Sequence, residues 1–284
     1  MGIQFSVFDE LVHSDILKGA ERLLPKKPDS RPAFLLPHYQ PPNIFTTPIT
    51  NTQLLLKATV IFGFIGMFRF STYDKLGISN LIIVGRNGRE YGVLSGSFEE
   101  ISFYFNQANA IGFYFTFSAK YHPVAHAFFC KLSVISTPLS RYCPVKILLQ
   151  LARRKLLTNN IFPKRLISTP VLSDYLRFIA RNSKSLGSRK FTPHSLRIGG
   201  HTFFTMKNMN ADFVHFLGRR AISRVCQLYY RASAYDNIIR LYIFFRSVAS
   251  QHILQCWMLF SKAIRHVYTF FFEVTGTYIV VVHQ

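Results

Sequence analysis

Hydrophobic and polar positions divide the chain into a helical start, a β-rich middle and a second helical part. Residues 1–24 predict one amphipathic helix. Six prolines between residues 25 and 42 predict an extended linker, because proline removes a backbone donor and restricts its neighbour. The polar residues 50–53 offer N-cap chemistry for a helix that runs from Leu54 to about Phe70.

The apolar run Ala58–Phe68 within that helix is too short for a membrane span. It has eleven residues between Lys57 and Arg69, whereas a spanning helix needs about 20. It is therefore predicted as a buried core helix. The aromatic tail at residues 267–282 supports a separate hypothesis, a membrane-associated protein, but a glutamate and a glycine interrupt it, and no membrane partner is predicted.

Three β-rich runs follow the first helix. Asn80–Val84 predicts one strand, and Ile111–Ser118 and Val124–Leu132 predict two more. The last two are separated by a short turn that contains Lys120, so they are predicted to form a β-hairpin.

After Leu132 the pattern becomes helical. Helices are predicted from Pro144 to Leu157, from Thr169 to about Arg181, from the Thr192-Pro193 pair onward, from Asn210 to Leu217, and over Ala221–Tyr230. Residues 185–188 are predicted as a loop, and periodicity from Tyr235 onward is too weak to place an element. The predicted domains are a partial helix with a proline-rich linker (1–49), a main domain (50–235) and a C-terminal tail (236–284).

Positive charge dominates the composition. The chain has 34 Lys and Arg against 13 Asp and Glu, a formal charge of +21. Between Ile101 and Ala211 the only acid is Asp174, while sixteen Lys or Arg fall in that span. Solvent-exposed surfaces usually carry both positive and negative charges. A long stretch with almost only positive charges therefore favours a polyanionic partner such as nucleic acid. A basic protein with incidental charge is the alternative.

The cysteines predict neither a disulfide framework nor a zinc site. None is in a Cys-x-x-Cys pair, which fits buried thiols in a reducing compartment. They are Cys130, Cys143, Cys226 and Cys256.

Residues 191–231 carry the strongest chemical signal. His194 and Arg197 lie three residues apart on a predicted helix, a Gly-Arg-Arg turn follows at residues 218–220, and Tyr229 and Tyr230 come after it. Histidine, arginine and a late tyrosine in a basic setting indicate phosphodiester chemistry with tyrosine as the nucleophile.

Five ordered segments carry a resemblance to a known family. They are the apolar helix ending FGFIGMFRFS, the hairpin with a lysine in its turn, CPVKILLQLARRK, TPHSLRIGG and LGRRAISRVCQLYYR. Across about residues 50–235 the chain resembles the catalytic domain of the tyrosine recombinase (phage integrase) family, in particular the forms carried by retrotransposons. The resemblance implies an α+β fold, mostly helical, with a small antiparallel sheet.

The resemblance also implies an active site. Arg69 matches the first catalytic arginine of the family, and Lys120 matches its catalytic lysine. His194 and Arg197 match its His-x-x-Arg pair. Arg220 falls where the family has histidine or tryptophan, and Tyr229, nine residues later, matches the nucleophile. Lys131 remains a rival to Lys120, and Tyr230 to Tyr229.

Each implied role has a chemical reason. Two guanidiniums can clamp the charge that develops on a phosphate under attack. Tyrosine, with a reference pKa of about 10, needs a base such as His194, and the leaving 5′-hydroxyl needs an acid such as Lys120. The product would be a 3′-phosphotyrosyl linkage that conserves the bond for rejoining. No cofactor and no metal is required.

Further basic residues are predicted to contact the phosphates of double-stranded DNA. They are Arg153, Arg154, Lys155, Arg189, Lys190 and Arg219. The resemblance implies a tetramer on DNA and an intracellular location, nuclear if the host is eukaryotic.

Three features depart from the family pattern. Thr72 stands where an acid is usual, Arg220 replaces histidine or tryptophan, and residues 1–50 are too short for a complete N-terminal clamp. The alternative function is therefore a catalytically inactive DNA-binding remnant of a mobile element.

Overall fold

The computed structural model describes residues 32–34, 50–119, 122–132, 142–182, 190–219, 232–248 and 250. Contacts divide the chain into residues 1–31 and 32–284, and every described residue belongs to the second unit. The predicted N-terminal helix, the loop at residues 185–188 and the helix over residues 221–230 lie outside the described residues. The predicted boundaries after residues 49 and 235 stay predictions.

Helix α1 (Asn51–Ile65) forms the centre of the core. Thr50 and Gln53 close its N-terminus as a capping box, and every residue from Leu54 to Ile65 is buried. Its predicted end near Phe70 is wrong. Gly66 ends the helix and Met67 takes a left-handed φ of 46°, so the chain turns away before Arg69. A 3₁₀ helix at Phe70–Lys75 follows.

A four-stranded antiparallel sheet packs against α1. Its strands are β1 (Leu81–Gly85), β2 (Glu90–Gly92), β3 (Ala110–Ala119) and β4 (His122–Cys130), in the order β2-β1-β3-β4. Strands β1, β3 and β4 confirm the predicted strand and hairpin. The ring of Phe62 in α1 lies 5.0 Å from Phe129 and 5.9 Å from Phe113 of the sheet. Helix and sheet therefore share one aromatic core.

Between residues 98 and 217, the described part of the chain contains five further helices. They are α2 (Phe98–Asn106), α3 (Pro144–Arg153), α4 (Thr169–Arg181), α5 (Pro193–Met206) and α6 (Ala211–Leu217). Helix α4 has its predicted bounds, and α6 is capped by Asn210 and ended by Gly218 as predicted. Helix α3 stops before its predicted end at Leu157, because Lys155 takes a left-handed φ of 56°. Strand β2, helix α2 and a last helix over residues 234–248 (α7) were not predicted.

The described residues thus form a mixed α/β structure with a small antiparallel sheet, as predicted. Cys130 and Cys143 are buried free thiols, also as predicted. Cys226 and Cys256 lie outside the described residues. None of the helices that the structure describes is both long and apolar enough to cross a bilayer.

Two glycines of α5 allow three segments to meet. A Cβ on Gly199 would lie 1.9 Å from the carbonyl oxygen of Phe34, and one on Gly200 would lie 2.2 Å from that of Phe64. Phe34 is fully buried, and its N–H donates to the Ser195 carbonyl at 3.0 Å. Part of the predicted extended linker is therefore packed into the core.

The close approach at Gly199 predicts a steric effect on stability. Gly199→Ala should lower the free energy of unfolding by about 1–3 kcal/mol or more, because backbone must move to admit the methyl group. Gly92→Ala is the matched control, since nothing lies within 4 Å of a Cβ there. Denaturant unfolding checks this, and equal losses in the two variants would contradict the packing described.

Lys57 predicts a pH-dependent effect. Its side chain is 4% exposed within α1, and burial lowers its pKa from 10.5 to about 8. Between these values the unfolded chain binds more protons than the folded chain, so stability rises with pH. Below pH 8, Lys57→Met should be more stable than the unaltered protein by roughly 2–3 kcal/mol. This advantage should shrink as the pH approaches 10.5.

Unfolding measured from pH 7 to 10 tests the prediction. Lys146→Met, at an exposed position of α3, is the control and should follow the unaltered protein at every pH. A stability difference for Lys57→Met that stays constant across this range would show that the lysine is not desolvated in the fold.

Candidate active site

The turn between α1 and Arg69 receives two arginines from distant parts of the chain. We call Arg197, Arg219 and the turn residues Gly66 and Met67 the arginine cluster. Both arginine side chains are only 7% exposed. A charged group at such depth needs strong polar partners, and here the carbonyl oxygens of the turn supply them.

Arg197 joins the turn to the end of α6. Its Nη1 donates to the Met67 carbonyl at 2.6 Å, and its Nη2 donates to the Gly218 carbonyl at 2.5 Å. The carbonyls at a helix C-terminus lack intrahelical partners, so Arg197 satisfies one of them at the end of α6. One side chain of α5 thereby holds two other segments in place.

Arg219 approaches the same turn from the other side. Its Nη2 donates to the carbonyls of Gly66 at 2.5 Å and Met67 at 3.0 Å. Its guanidinium carbon also lies 5.3 Å from the ring centres of both Phe68 and Phe117, within the range of cation–π attraction. Arg219 takes a left-handed φ of 50°, which turns the chain sharply immediately before Arg220.

One predicted catalytic residue, Arg197, belongs to the cluster, and two more lie close to cluster residues in the chain. His194 is half-buried on the first turn of α5, one helical turn before Arg197 and on the same face. Arg69 is exposed two residues after Met67, to which Arg197 is bonded. Two buried positive charges beside these residues favour the binding of an anion at this place.

Lys120, Arg220 and Tyr229 lie outside the described residues, as does Tyr230. Two described residues that come shortly before them in the chain contact or belong to the arginine cluster. Phe117, on the strand that leads to Lys120, contacts Arg219. Arg219 is itself the residue before Arg220.

Lys131, the rival to Lys120, lies at the end of the hairpin opposite to the turn. Its N–H pairs with the Ile111 carbonyl at 2.7 Å, at the end of the hairpin opposite to the turn. Phe117, which contacts the cluster, is six residues further along β3, or about 20 Å at the rise of a strand. Lys131 therefore lies at the end of the hairpin away from Phe117, which contacts Arg219.

Lys75 is a residue near the site that sequence reasoning missed. Its Nζ donates to the carbonyl oxygen of Ser118 at 2.7 Å and to the Ser118 hydroxyl at 3.2 Å. It thereby ties the 3₁₀ helix after Arg69 to the end of β3. A lysine six residues after an arginine gives no distinctive pattern, so only the folded chain reveals the contact.

The predicted DNA-contacting residues fall into separate places. Arg153, Arg154 and Lys155 are exposed at the end of α3, and the Nη1 of Arg154 lies 3.2 Å from the Asn51 Oδ1. Asn51 begins α1, whereas Arg69 follows its other end, about 20 Å away along the helix. This basic group and the arginine cluster are therefore distinct regions.

The remaining predicted contacts differ in exposure. Lys190 is exposed just before α5, and Arg189 lies outside the described residues. Arg219 is buried, and its guanidinium is bonded to the carbonyls of the turn.

A buried phenol next to the cluster has a structural task. The Tyr73 hydroxyl donates to the Thr59 carbonyl at 2.6 Å and crosses α1 at Gly63, where a Cβ would lie 1.9 Å from it. Burial raises the pKa of Tyr73 far above its ordinary value, although the charge of Arg219 opposes this rise. Tyr73 therefore stays neutral and fixes the segment after Arg69.

Among the described residues, no group of three or more His, Cys, Asp or Glu is arranged to hold a metal ion. Comparisons with protein-family models, curated proteins and solved structures found no match to this chain. The function of the cluster must therefore be argued from its own residues.

Because Arg219 bonds to the turn at Gly66 and Met67, replacing its guanidinium should destabilise the fold. Arg219→Lys keeps the charge but removes the planar fork, and should lower the free energy of unfolding by about 1.5–3 kcal/mol. Arg177→Lys, at an exposed pair with Asp174, is the control and should change it by less than about 0.5 kcal/mol. Indistinguishable unfolding curves for the two variants would contradict a structural role for Arg219.

Proposed function

We propose that the protein breaks and rejoins DNA strands through a 3′-phosphotyrosyl intermediate formed on Tyr229. The observation that carries the proposal is the bond from Arg197 to the Met67 carbonyl. It joins residues separated by 130 positions in the chain and brings the helix of His194 next to the turn before Arg69. Two arginines and a histidine at one place are the groups that attack on a phosphate needs.

The proposed reaction divides the work among these residues. Arg69 and Arg197 hold the non-bridging oxygens of the scissile phosphate. A guanidinium has five N–H donors, so Arg197 can hold carbonyls of the protein and a phosphate oxygen with one side chain. The turn carbonyls would fix its plane before DNA binds, so that little reorganisation is needed during the reaction.

Proton transfers accompany the exchange of bonds. His194 takes the proton of the Tyr229 hydroxyl as its oxygen attacks phosphorus, and Lys120 protonates the departing 5′-oxygen. One phosphorus–oxygen bond forms as another breaks, so a free 5′-hydroxyl can later reverse the step on a second strand. The buried charges of the cluster support this scheme, because they favour the doubly charged phosphorane-like transition state.

The order of the catalytic residues supports membership in the tyrosine recombinase family, as the motifs imply. A formal charge of +21 supports a DNA duplex as the partner. In this proposal the protein acts as a tetramer that holds two duplexes, inside the cell and in the nucleus of a eukaryotic host. Exposed Arg153, Arg154, Lys155 and Lys190 would contact phosphates outside the reaction centre.

A DNA-binding protein without catalysis is the second candidate. The burial of Arg197 and its two bonds to carbonyls favour it, because this arginine already has a structural task. The departures at Thr72 and Arg220 point the same way. Both candidates predict DNA binding that weakens with salt, so only covalent chemistry separates them.

Covalent trapping tests the proposal. The probe is a labelled pool of duplexes with random sequence around a single nick, so that a cleaved strand loses its short 5′-hydroxyl fragment and cannot be rejoined. The intact protein should give a labelled adduct that survives denaturing electrophoresis and disappears on protease treatment. The adduct should be absent with Tyr229→Phe and present with Tyr230→Phe, the matched control.

The outcomes are distinct. An adduct that persists in Tyr229→Phe and disappears in Tyr230→Phe would move the nucleophile by one residue. Salt-sensitive DNA retention without an adduct in any variant would contradict strand exchange and favour the non-catalytic candidate.

A further inference from the structure

A cavity lies at the end of the sheet opposite to the hairpin turn. Its volume is about 440 Å³, within the range of small-molecule sites. It is lined by Arg86, Asn109, Ala110, Ile111, Lys131, Tyr235, Ile239 and Tyr242. Ile111 is about 20 Å along β3 from Phe117, so this cavity is separate from the arginine cluster.

One wall of the cavity is a face of α7. Tyr235, Ile239 and Tyr242 are spaced by four and three residues, so they lie on the same side of this helix. All three are partly exposed. Aromatic rings that are neither fully packed nor fully solvated offer flat surfaces for a planar ligand. The opposite wall, Ala110 and Ile111 of β3, is apolar.

Two cations stand at the edge of these apolar walls. Arg86 follows β1 and is exposed, and Lys131 follows β4. The Nζ of Lys131 donates to the carbonyl of Phe105 at 3.1 Å, in the last turn of α2, where the helix dipole favours a positive charge. An ammonium has three donors, so this bond orients the group and allows it to bind an anion as well.

The charged residues that line the cavity are positive. Within the described part of the chain, no carboxylate lines the cavity. An anion entering it would therefore meet a guanidinium, an ammonium and two phenols. A ligand that uses the whole lining needs a negative group and a planar body.

We propose that this cavity binds a nucleotide unit, with its phosphate on Arg86 and Lys131 and its base against Tyr235 and Tyr242. Bases stack on aromatic side chains with little dependence on sequence, and a phosphate suits the paired cations. Inorganic phosphate would make no stacking contact with the tyrosine rings. An uncharged aromatic ligand would make no ion pair with Arg86 or Lys131. The proposal does not depend on strand exchange at Tyr229.

The nucleotide can be free or can be the end of a nucleic acid strand. Isothermal titration at 150 mM salt compares adenosine 5′-monophosphate, adenosine, inorganic phosphate and a 5′-phosphorylated trideoxynucleotide. Adenosine 5′-monophosphate should bind one per chain, at least tenfold more tightly than adenosine or phosphate. Tighter binding of the trideoxynucleotide than of adenosine 5′-monophosphate would assign the site to a strand end. Equal affinities for these two ligands would assign it to a free nucleotide.

Variants place the ligand in this cavity. Arg86→Gln and Lys131→Gln should each weaken nucleotide binding about tenfold or more. Tyr242→Leu should weaken the binding of the nucleotide but should not change the affinity for inorganic phosphate. Lys146→Gln, at an exposed position of α3, removes one charge elsewhere and should not change nucleotide binding. Circular dichroism confirms that each variant is folded.

The proposal fails under any of three results. The first is that nucleotide binding does not saturate, and the second is that phosphate and nucleotide bind with equal affinity. The third is that Lys146→Gln and Lys131→Gln reduce the nucleotide affinity equally. Tyr229→Phe is expected to lose trapping, so nucleotide binding measured on that variant separates failure of this proposal from failure of strand exchange.

Discussion

The carbonyl oxygen of Met67 is the point on which the structure depends. It accepts a hydrogen bond from Arg197 of α5 and another from Arg219, which follows α6. Such a carbonyl is available only because α1 stops at Gly66 and Met67 adopts a left-handed conformation, which turns the peptide outward from the helix. Two charged side chains then have partners in the core, where an unpaired charge would cost several kcal/mol.

This constraint connects packing to chemistry. Gly199 and Gly200 let α5 lie against Phe34 and the end of α1, so that Arg197 reaches the turn. Lys75 fixes the segment after Arg69 to the end of β3. Carbonyls, rings and guanidiniums therefore pack together at the turn that precedes the exposed Arg69. In the proposed reaction, this arrangement would hold Arg197 in place before DNA binds.

Sequence patterns predicted the elements whose signals are local. The hairpin was predicted from two β-rich runs separated by a short turn, and α4 from proline at its first turn. Helix α6 was predicted from Asn210 and Gly218 at its two ends. The end of α1 was mispredicted because Met67, an ordinary helix former, is held in a left-handed conformation by tertiary contacts. Helix α7 has weak periodicity, and contacts such as Ile238 against Gly112 place it on the sheet. The bond from Arg197 to the Met67 carbonyl joins residues 130 positions apart and has no local signal in the sequence. The burial of Arg219 contradicts the usual preference of a charged residue for solvent.

A crystal structure of the protein bound to a nicked DNA duplex tests the central claim most directly. The account predicts one phosphate within about 2.7–2.9 Å of the guanidiniums of both Arg69 and Arg197, with His194 beside it and the turn carbonyls still bonded to Arg197 and Arg219. DNA bound only at the exposed basic residues of α3, with no phosphate near Arg69, would contradict it.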